Sequence, residues 1–324
     1  MRALALFSGG LDSVLAMKVI IDQGIEVIAV NVNFGFGSTK DRLEHMQSMC
    51  DQIGAKLEIL DLRDDYLKEV LFSPVYGYGK NFNPCIDCHG FMFRHTAKLL
   101  EKYDASFMIS GEVVGQRPMS QRKDAMVQVQ KLSDHDELIL RPLSAKLMEP
   151  TKPEIEGWVD REKLLAFEGR GRHNQLELAK KIGLQNFESP GGGCLLTEEN
   201  TARRIRDFIA HDELTKDDID TLKYGRHLRL PGGAKLIIGR NKEDNEALKT
   251  TKSDKYYPAH INGAPGPFCL FSKNANDEDK QLATKLIITY GKTEENKLYE
   301  VDFKEYKLKG EKLPTKKEAE KYFI

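Results

Sequence analysis

The chain has 324 residues, with 49 Lys+Arg against 50 Asp+Glu for a formal net charge of -1, and is 40% hydrophobic and 31% charged. That length predicts two domains, each able to bury its own core, and the composition excludes both a disordered chain and a membrane one. No apolar run reaches bilayer length, and residues 1–10 turn polar too early for a signal peptide, so the expected location is cytoplasmic.

In chain order, residues 2–7 read as a strand, 11–23 as a helix, 26–33 as a strand, 41–53 as a helix and 56–62 as a strand. That alternation predicts an α/β domain with a parallel sheet covered by helices. Residues 72–84 have no period and read as a loop, followed by a helix over 86–103 and strands over 106–110 and 137–140. Residues 201–211 and 217–222 read as helices of a connector, giving a first domain over 1–200, a connector over 201–222 and a second domain over 223–324. In that second, smaller α+β domain a hairpin is expected over 224–240, then a strand over 267–272, a helix over 277–290 and a strand over 297–303.

The first strand runs into Ser8-Gly9-Gly10-Leu11-Asp12-Ser13, which opens a helix. Two glycines let the backbone approach an anion, and hydroxyls and free amides at a positive helix end supply donors, so this loop is a candidate phosphate site. The Walker spacing and its lysine are missing. The motif resembles the PP-loop of the ATP-pyrophosphatase superfamily, which implies ATP cleaved between its α and β phosphates, magnesium as counter-ion and Asp12 near metal or pyrophosphate. In such folds adenine lies beyond the strand ends, which makes Asn33 and Phe34 at the end of the second strand its candidate neighbours.

Ser110-Gly111-Glu112-Val113-Val114-Gly115-Gln116, then Ser120-Gln121, then Leu140-Arg141-Pro142-Leu143, is similar to the tRNA 4-thiouridine synthetases. The resemblance implies that Gly111, Glu112 and Gln116 belong to a loop closing over the nucleotide. Lys123, Lys146, Arg170 and Arg172 are further candidates for RNA or phosphate contact.

Five cysteines are too few for a disulfide scaffold. Cys50 and Cys269 sit in apolar patterns and read as core thiols, whereas Cys85 and Cys88 open a predicted helix and Cys194 follows Ser189-Pro190-Gly191-Gly192-Gly193. The helix start is expected to lower the thiol pKa values of the pair. Three uses stay open: structural zinc on Cys85, Cys88, Cys194 and His89, a persulfide pair, or a 4Fe-4S cluster on the three cysteines with one iron open for sulfide. The tRNA thiolases that this chain resembles include cluster-dependent enzymes, which weighs toward the cluster; the 2-thiouridylases, also similar around Asn83-Pro84-Cys85, weigh toward persulfide chemistry. Either way the resemblance implies a tRNA sulfurtransferase. It adenylates a uridine carbonyl and then replaces the oxygen with sulfur taken from sulfide or from a cysteine desulfurase or carrier.

Balanced charge first argues against a nucleic-acid partner, but residues 1–200 hold 24 basic and 29 acidic side chains and residues 201–324 hold 25 and 21. Residues 221–240 carry Lys223, Arg226, Arg229, Lys235 and Arg240 with no acid, beside Tyr224 and His227, as expected of RNA binding. Gly239-Arg240-Asn241, Tyr256-Tyr257-Pro258 and Pro265-Gly266 resemble the RNA-binding domain of the NFACT family. The 4-thiouridine synthetases usually carry ferredoxin-like and THUMP domains ahead of the PP-loop, which here begins at residue 8, so the C-terminal domain is expected to hold the tRNA. Two other functions fit parts of the pattern: a PP-loop amide-forming ligase, in which the cysteines have no role, and a non-catalytic RNA-binding adaptor.

Overall fold

Alternating apolar and amphipathic segments place five parallel strands in one sheet of the computed structural model, which describes residues 1–37, 42–188 and 193–324. Strand β1 (Arg2–Leu6), helix α1 (Leu11–Ile21), β2 (Glu26–Asn33), α2 (Leu43–Ile53) and β3 (Lys56–Asp61) follow the expected order. Residue 41, the expected start of α2, lies outside the described residues. Then come α3 (Arg63–Tyr66), a π-helical turn over Leu67–Leu71, α4 (Cys85–Ala97), β4 (Phe107–Ser110), α5 (Lys123–Leu132), β5 (Ile139–Leu140), α6 (Lys152–Ile155) and α7 (His173–Lys181). The sheet order is β3-β2-β1-β4-β5, all parallel. The chain therefore runs outward from β1 to β3 and crosses back to β4 on the other side of β1. This puts the topological switch point between β1 and β4, where ligands of open α/β sheets bind beyond the carboxyl ends.

Burial holds the frame. Val14, Leu15, Met17 and Ile20 of α1 are fully buried in one core with residues of β1, β2, α2 and α7. Each such side chain contributes about 1.5–3 kcal/mol. Asp87, in the first turn of α4, accepts hydrogen bonds from the amides of Val75 (2.6 Å) and Tyr76 (3.1 Å), tying down the aperiodic stretch before it.

The chain divides into two units, Met1–Thr197 and Glu198–Ile324. The second contains α8 (Glu199–Ile209), a 3-10 segment over Lys216–Leu222, β6 (Arg226–Arg229), β7 (Lys235–Ile238), α9 (Lys242–Lys249), β8 (Tyr256–Asn262), β9 (Cys269–Ser272), α10 (Asp277–Tyr290), β10 (Tyr299–Asp302), β11 (Lys307–Gly310) and α11 (Lys317–Glu320). Its strands form an antiparallel sheet in the order β11-β10-β8-β9-β7-β6, and α10 packs into its core with Ala283, Leu286, Ile287 and Ile288. Residues 201–222, expected as a connector, are instead part of this unit. Arg204 of α8 donates to the carbonyls of Leu222 (2.9 Å) and Gly225 (3.0 Å), and Asp207 pairs with Arg229 (2.6 Å) and Lys235 (2.8 Å). Charges that suggested a connector make ion pairs inside the unit. Among the described residues no helix is long and apolar enough to cross a membrane.

Candidate functional site

The loop after β1 has the geometry its glycines suggest. Gly9 has φ +76°, a conformation that side-chain-bearing residues rarely adopt, and a Cβ there would press on Met46 Cγ at 2.9 Å, so a substitution is strained. Gly10 caps α1 without a side-chain acceptor, which leaves first-turn amides for an anion. Ser13 Oγ donates to the Gly10 carbonyl at 2.7 Å, while the Ser8 hydroxyl accepts a long 3.4 Å bond from the Gly10 amide. Arg42, paired with Glu188, stands on the Gly9 side.

The segment after β4 lies directly on this loop. A Cβ on Gly111 would be 2.4 Å from Ser13 N and 2.5 Å from Asp12 C, so a side chain there is excluded by backbone. Asp12 Oδ2 accepts from Gln116 Nε2 (2.6 Å) and from Arg172 Nη2 (3.1 Å), and Gln175 Nε2 donates to Gln116 Oε1 (3.0 Å). Asp12 Oδ1 is buried with no hydrogen-bond partner, a free carboxylate oxygen suited to a divalent cation. Of the cations noted from sequence, Arg172 is thus in the site, whereas Lys146 pairs with Glu162 (3.2 Å), Lys123 opens α5 and Arg170 is exposed. Gln175, only 1% exposed, went unnoticed in the sequence because its partner is 59 positions away. At the end of β2, Asn33 Oδ1 accepts from the Gly35 amide (3.0 Å), and the Phe34 ring packs on Tyr66 with centroids 5.0 Å apart.

Glu112 joins this loop to the cysteines. Its buried carboxylate bonds to His89 Nδ1 (2.7 Å), Arg141 Nε (2.8 Å) and Ser110 Oγ (3.0 Å). Burial alone would raise its pKa, but Arg141 and His89 outweigh burial and hold it at about 2, below the ordinary 4.5. The depressed value makes the ionised form stabilising: the contribution is full above pH 4.5 and is lost as pH falls from there toward about 2. Glu112→Gln leaves Arg141, 2% exposed, without a charge partner. Chemical denaturation should show a loss of about 3–5 kcal/mol at neutral pH, with a shallower acid dependence than wild type between about pH 5 and 2.

Cys85, Cys88 and Cys194 all act electrostatically on the Tyr66 hydroxyl. That buried hydroxyl has no nitrogen or oxygen partner and lies beside the Cys88 sulfur, and Cys85 and Cys194 act on both groups. Cys194 Sγ donates to the Phe36 carbonyl (3.3 Å), and Asn83 Nδ2 donates to Cys85 Sγ (3.2 Å). The expected lowering of the thiol pKa values at the helix start is corrected: burial pushes Cys85 up and Cys88 further up. Desolvation outweighs the helix end. His89, weighed as a zinc ligand, has its Nδ1 engaged by Glu112. Among the described residues no three His, Cys, Asp or Glu side chains are grouped to hold a metal ion, and residues 189–192 beside Cys194 lie outside them. Cysteine thiolates are soft donors, the donor type that iron–sulfur chemistry uses. Cys50 and Cys269 are fully buried core thiols, as expected, and burial raises Cys50 to about 12.

Residues 1–150 match the family model described as the tRNA methyl transferase HUP domain, and residues 225–323 match that of the NFACT protein RNA binding domain. One match lies in the first unit and the other in the second. A tRNA-specific 2-thiouridylase of Fusobacterium nucleatum is 30% identical over 107 residues, covering 32% of this chain and 31% of the relative. A probable tRNA sulfurtransferase of Thermococcus kodakarensis is 29% identical over 147 residues, covering 44% of this chain and 36% of the relative. Among solved structures, a 4-thiouridine synthetase–RNA complex with bound ATP aligns at 18% identity with a TM-score of 0.40, over 68% of this chain and 52% of that one. The chain spans about a third of the length of these curated relatives.

In the second unit the basic stretch meets counter-ions from outside itself. Lys223 pairs with Asp220 (2.7 Å), Arg229 with Asp207 (2.6 Å) and Arg240 with Asp244 (2.6 Å). Lys235 is 2% exposed, paired with Asp207, and lowered to about 8 by burial. Arg226 packs on the Tyr290 ring, 5.0 Å from its centroid, a cation–π contact at the edge strand.

Proposed function

We propose that the PP-loop domain activates a uridine carbonyl of tRNA with ATP and replaces its oxygen with sulfur, while the NFACT-type domain captures the RNA. One observation carries the reading. Two adjacent residues link the candidate phosphate loop to the helix that carries Cys85 and Cys88: Gly111 abuts the Ser13 backbone, and Glu112 bonds to His89, the residue after Cys88.

Ser8, Gly9, Gly10 and Ser13 cradle the phosphates with the α1 amides, and Asp12 offers its free Oδ1 to magnesium. Gln116 and Gly111 close over the nucleotide, and Asn33 and Phe34 border the adenine. The carbonyl oxygen attacks the α-phosphate and pyrophosphate leaves; a sulfur nucleophile then attacks the activated carbon and AMP leaves. Cys85, Cys88 and Cys194 would hold a 4Fe-4S cluster, which when bound supplies an open iron for sulfide. Tyr66, beside Cys88, packs against Phe34 and Phe91, with Tyr66 and Phe91 centroids 5.6 Å apart, and these rings would limit water there. Arg226, Arg229, Arg240 and Lys223 are the proposed RNA-facing cations, Arg226 with Tyr290 foremost because no acid is paired with it among the ion pairs of the described residues.

Mass spectrometry of nucleosides from tRNA of cells with and without the gene tests the proposal. Loss of a thiolated uridine in the deletion, restored by the intact gene, is the expected outcome. An unchanged set of sulfur-containing nucleosides would sink it.

A further inference from the structure

We infer that Arg172 is the cation that meets the phosphates of the nucleotide, and that its ion pair with Asp12 is the contact a metal–nucleotide complex displaces. The inference rests on the ATP-dependent reading above and assigns to that site a residue from a distant part of the chain.

A triphosphate brings several negative charges to a loop whose motif contains no lysine. Backbone amides at a helix start supply only partial charge, so a full cation is needed nearby. Arg172 is there, with Nη2 3.1 Å from Asp12 Oδ2, and its side chain keeps 20% exposure toward solvent. It arrives on a strap. The Leu165 amide donates to Pro142 O (2.9 Å), the Phe167 amide to Leu143 O (2.7 Å) and the Gly169 amide to Val114 O (2.7 Å), and Glu168 bridges Val114 in parallel. These bonds lay residues 165–169 beside the chain that leaves β4 and β5. Gly169 (φ +80°) and Gly171 then turn into α7, and a Cβ on either would meet no atom within 4 Å. The link carrying Arg172 is thus uncrowded, while the next turn is fixed by buried Gln175 on Gln116.

Asp12 Oδ2 is held twice, by Gln116 and Arg172, and Oδ1 by nothing. A divalent cation on this carboxylate neutralises it and loosens its hold on the guanidinium, while Gln116 keeps the side chain in place. The released guanidinium then matches a pair of phosphate oxygens in fork geometry, which a lysine cannot do.

Calorimetric titration of the full chain with ATP plus magnesium, and separately with adenosine, tests this in wild type, Arg172→Gln and Arg172→Lys. Arg172→Gln should weaken ATP–magnesium binding roughly ten- to hundredfold, as loss of a hydrogen-bonded charge predicts. Arg172→Lys should fall between, and adenosine should bind all three alike. Equal ATP affinity in wild type and Arg172→Gln overturns the inference, as does a parallel loss of adenosine binding, which would mark a structural role. A wild type that binds adenosine but gains nothing from the phosphates also overturns it, and one that binds no ATP at all overturns the ATP-dependent reading itself.

Discussion

Cys88→Ser is expected to abolish sulfur insertion, lowering the single-turnover rate by more than about 10³-fold, while ATP binding stays at the wild-type value. Cys88 is buried at the first turn of α4, next to Tyr66, with Cys85 and Cys194 acting on the same group. Serine nearly matches its volume and keeps a partner for the Tyr66 hydroxyl, so the pocket survives and only the sulfur is lost. A tRNA transcript incubated with ATP, magnesium and sulfide, then digested to nucleosides, gives the rate directly. Cys50→Ser is the control. It buries a hydroxyl in a core helix at a cost of about 1–3 kcal/mol in stability, but insertion should persist because Cys50 lies in the core cluster, outside the thiol pocket. Anaerobic reconstitution with iron and sulfide should turn the wild type brown and leave a Cys85→Ala, Cys88→Ala, Cys194→Ala triple variant colourless. Undiminished insertion by Cys88→Ser would remove the thiols from the chemistry. A colourless wild type that still inserts sulfur would move them to persulfide transfer.

Much of the first unit is legible in the sequence because its signals are local. The Ser-Gly-Gly-x-Asp-Ser run specifies a strand end, a tight loop and a helix start within six residues, and the structure has β1, Gly9 at φ +76° and α1 there. Contacts across long separations leave no such trace. Arg172 and Asp12 are 160 positions apart, and nothing in α7's own pattern announces that its first turn faces α1. The same limit explains the basic stretch: its cations are adjacent in sequence, but Asp207 and Asp244, which neutralise several of them, come from helices on either side of it.

One local rule misled for a physical reason. A helix start favours thiolates, yet Cys88 is buried and the desolvation of a thiolate outweighs a partial positive charge. Pro258 lies in β8, between β10 and β9, a place where a proline is uncommon. The register resolves this: β10 pairs only with His260, Ile261 and Asn262, so Pro258 sits where β8 has one neighbour and a missing amide costs nothing.

Gly111→Ala should weaken ATP binding by more than about a hundredfold and take sulfur insertion with it, while the reconstituted iron–sulfur absorbance remains. The residue needs no special dihedral, since glycines with positive φ here include Gly9 and Gly115 but not Gly111. Space decides instead. The added methyl would stand 2.4 Å from Ser13 N, 2.5 Å from Asp12 C and 2.6 Å from Asp12 O, all backbone atoms at the start of α1. A helix buried through Val14, Leu15 and Met17 cannot yield, so the 110–116 segment must lift by about an ångström, a misplacement of the size that costs about two orders of magnitude. Lifting it breaks the Gln116–Asp12 bond and with it the orientation of the free Oδ1. Gly115→Ala is the informative comparison. Its φ of +77° imposes strain of about 1–2 kcal/mol, but its nearest contacts, at 3.5 and 3.6 Å, are ordinary, so it should lower stability more than binding. If Gly111→Ala bound ATP as tightly as Gly115→Ala, close approach of the two loops would not be what builds the nucleotide site.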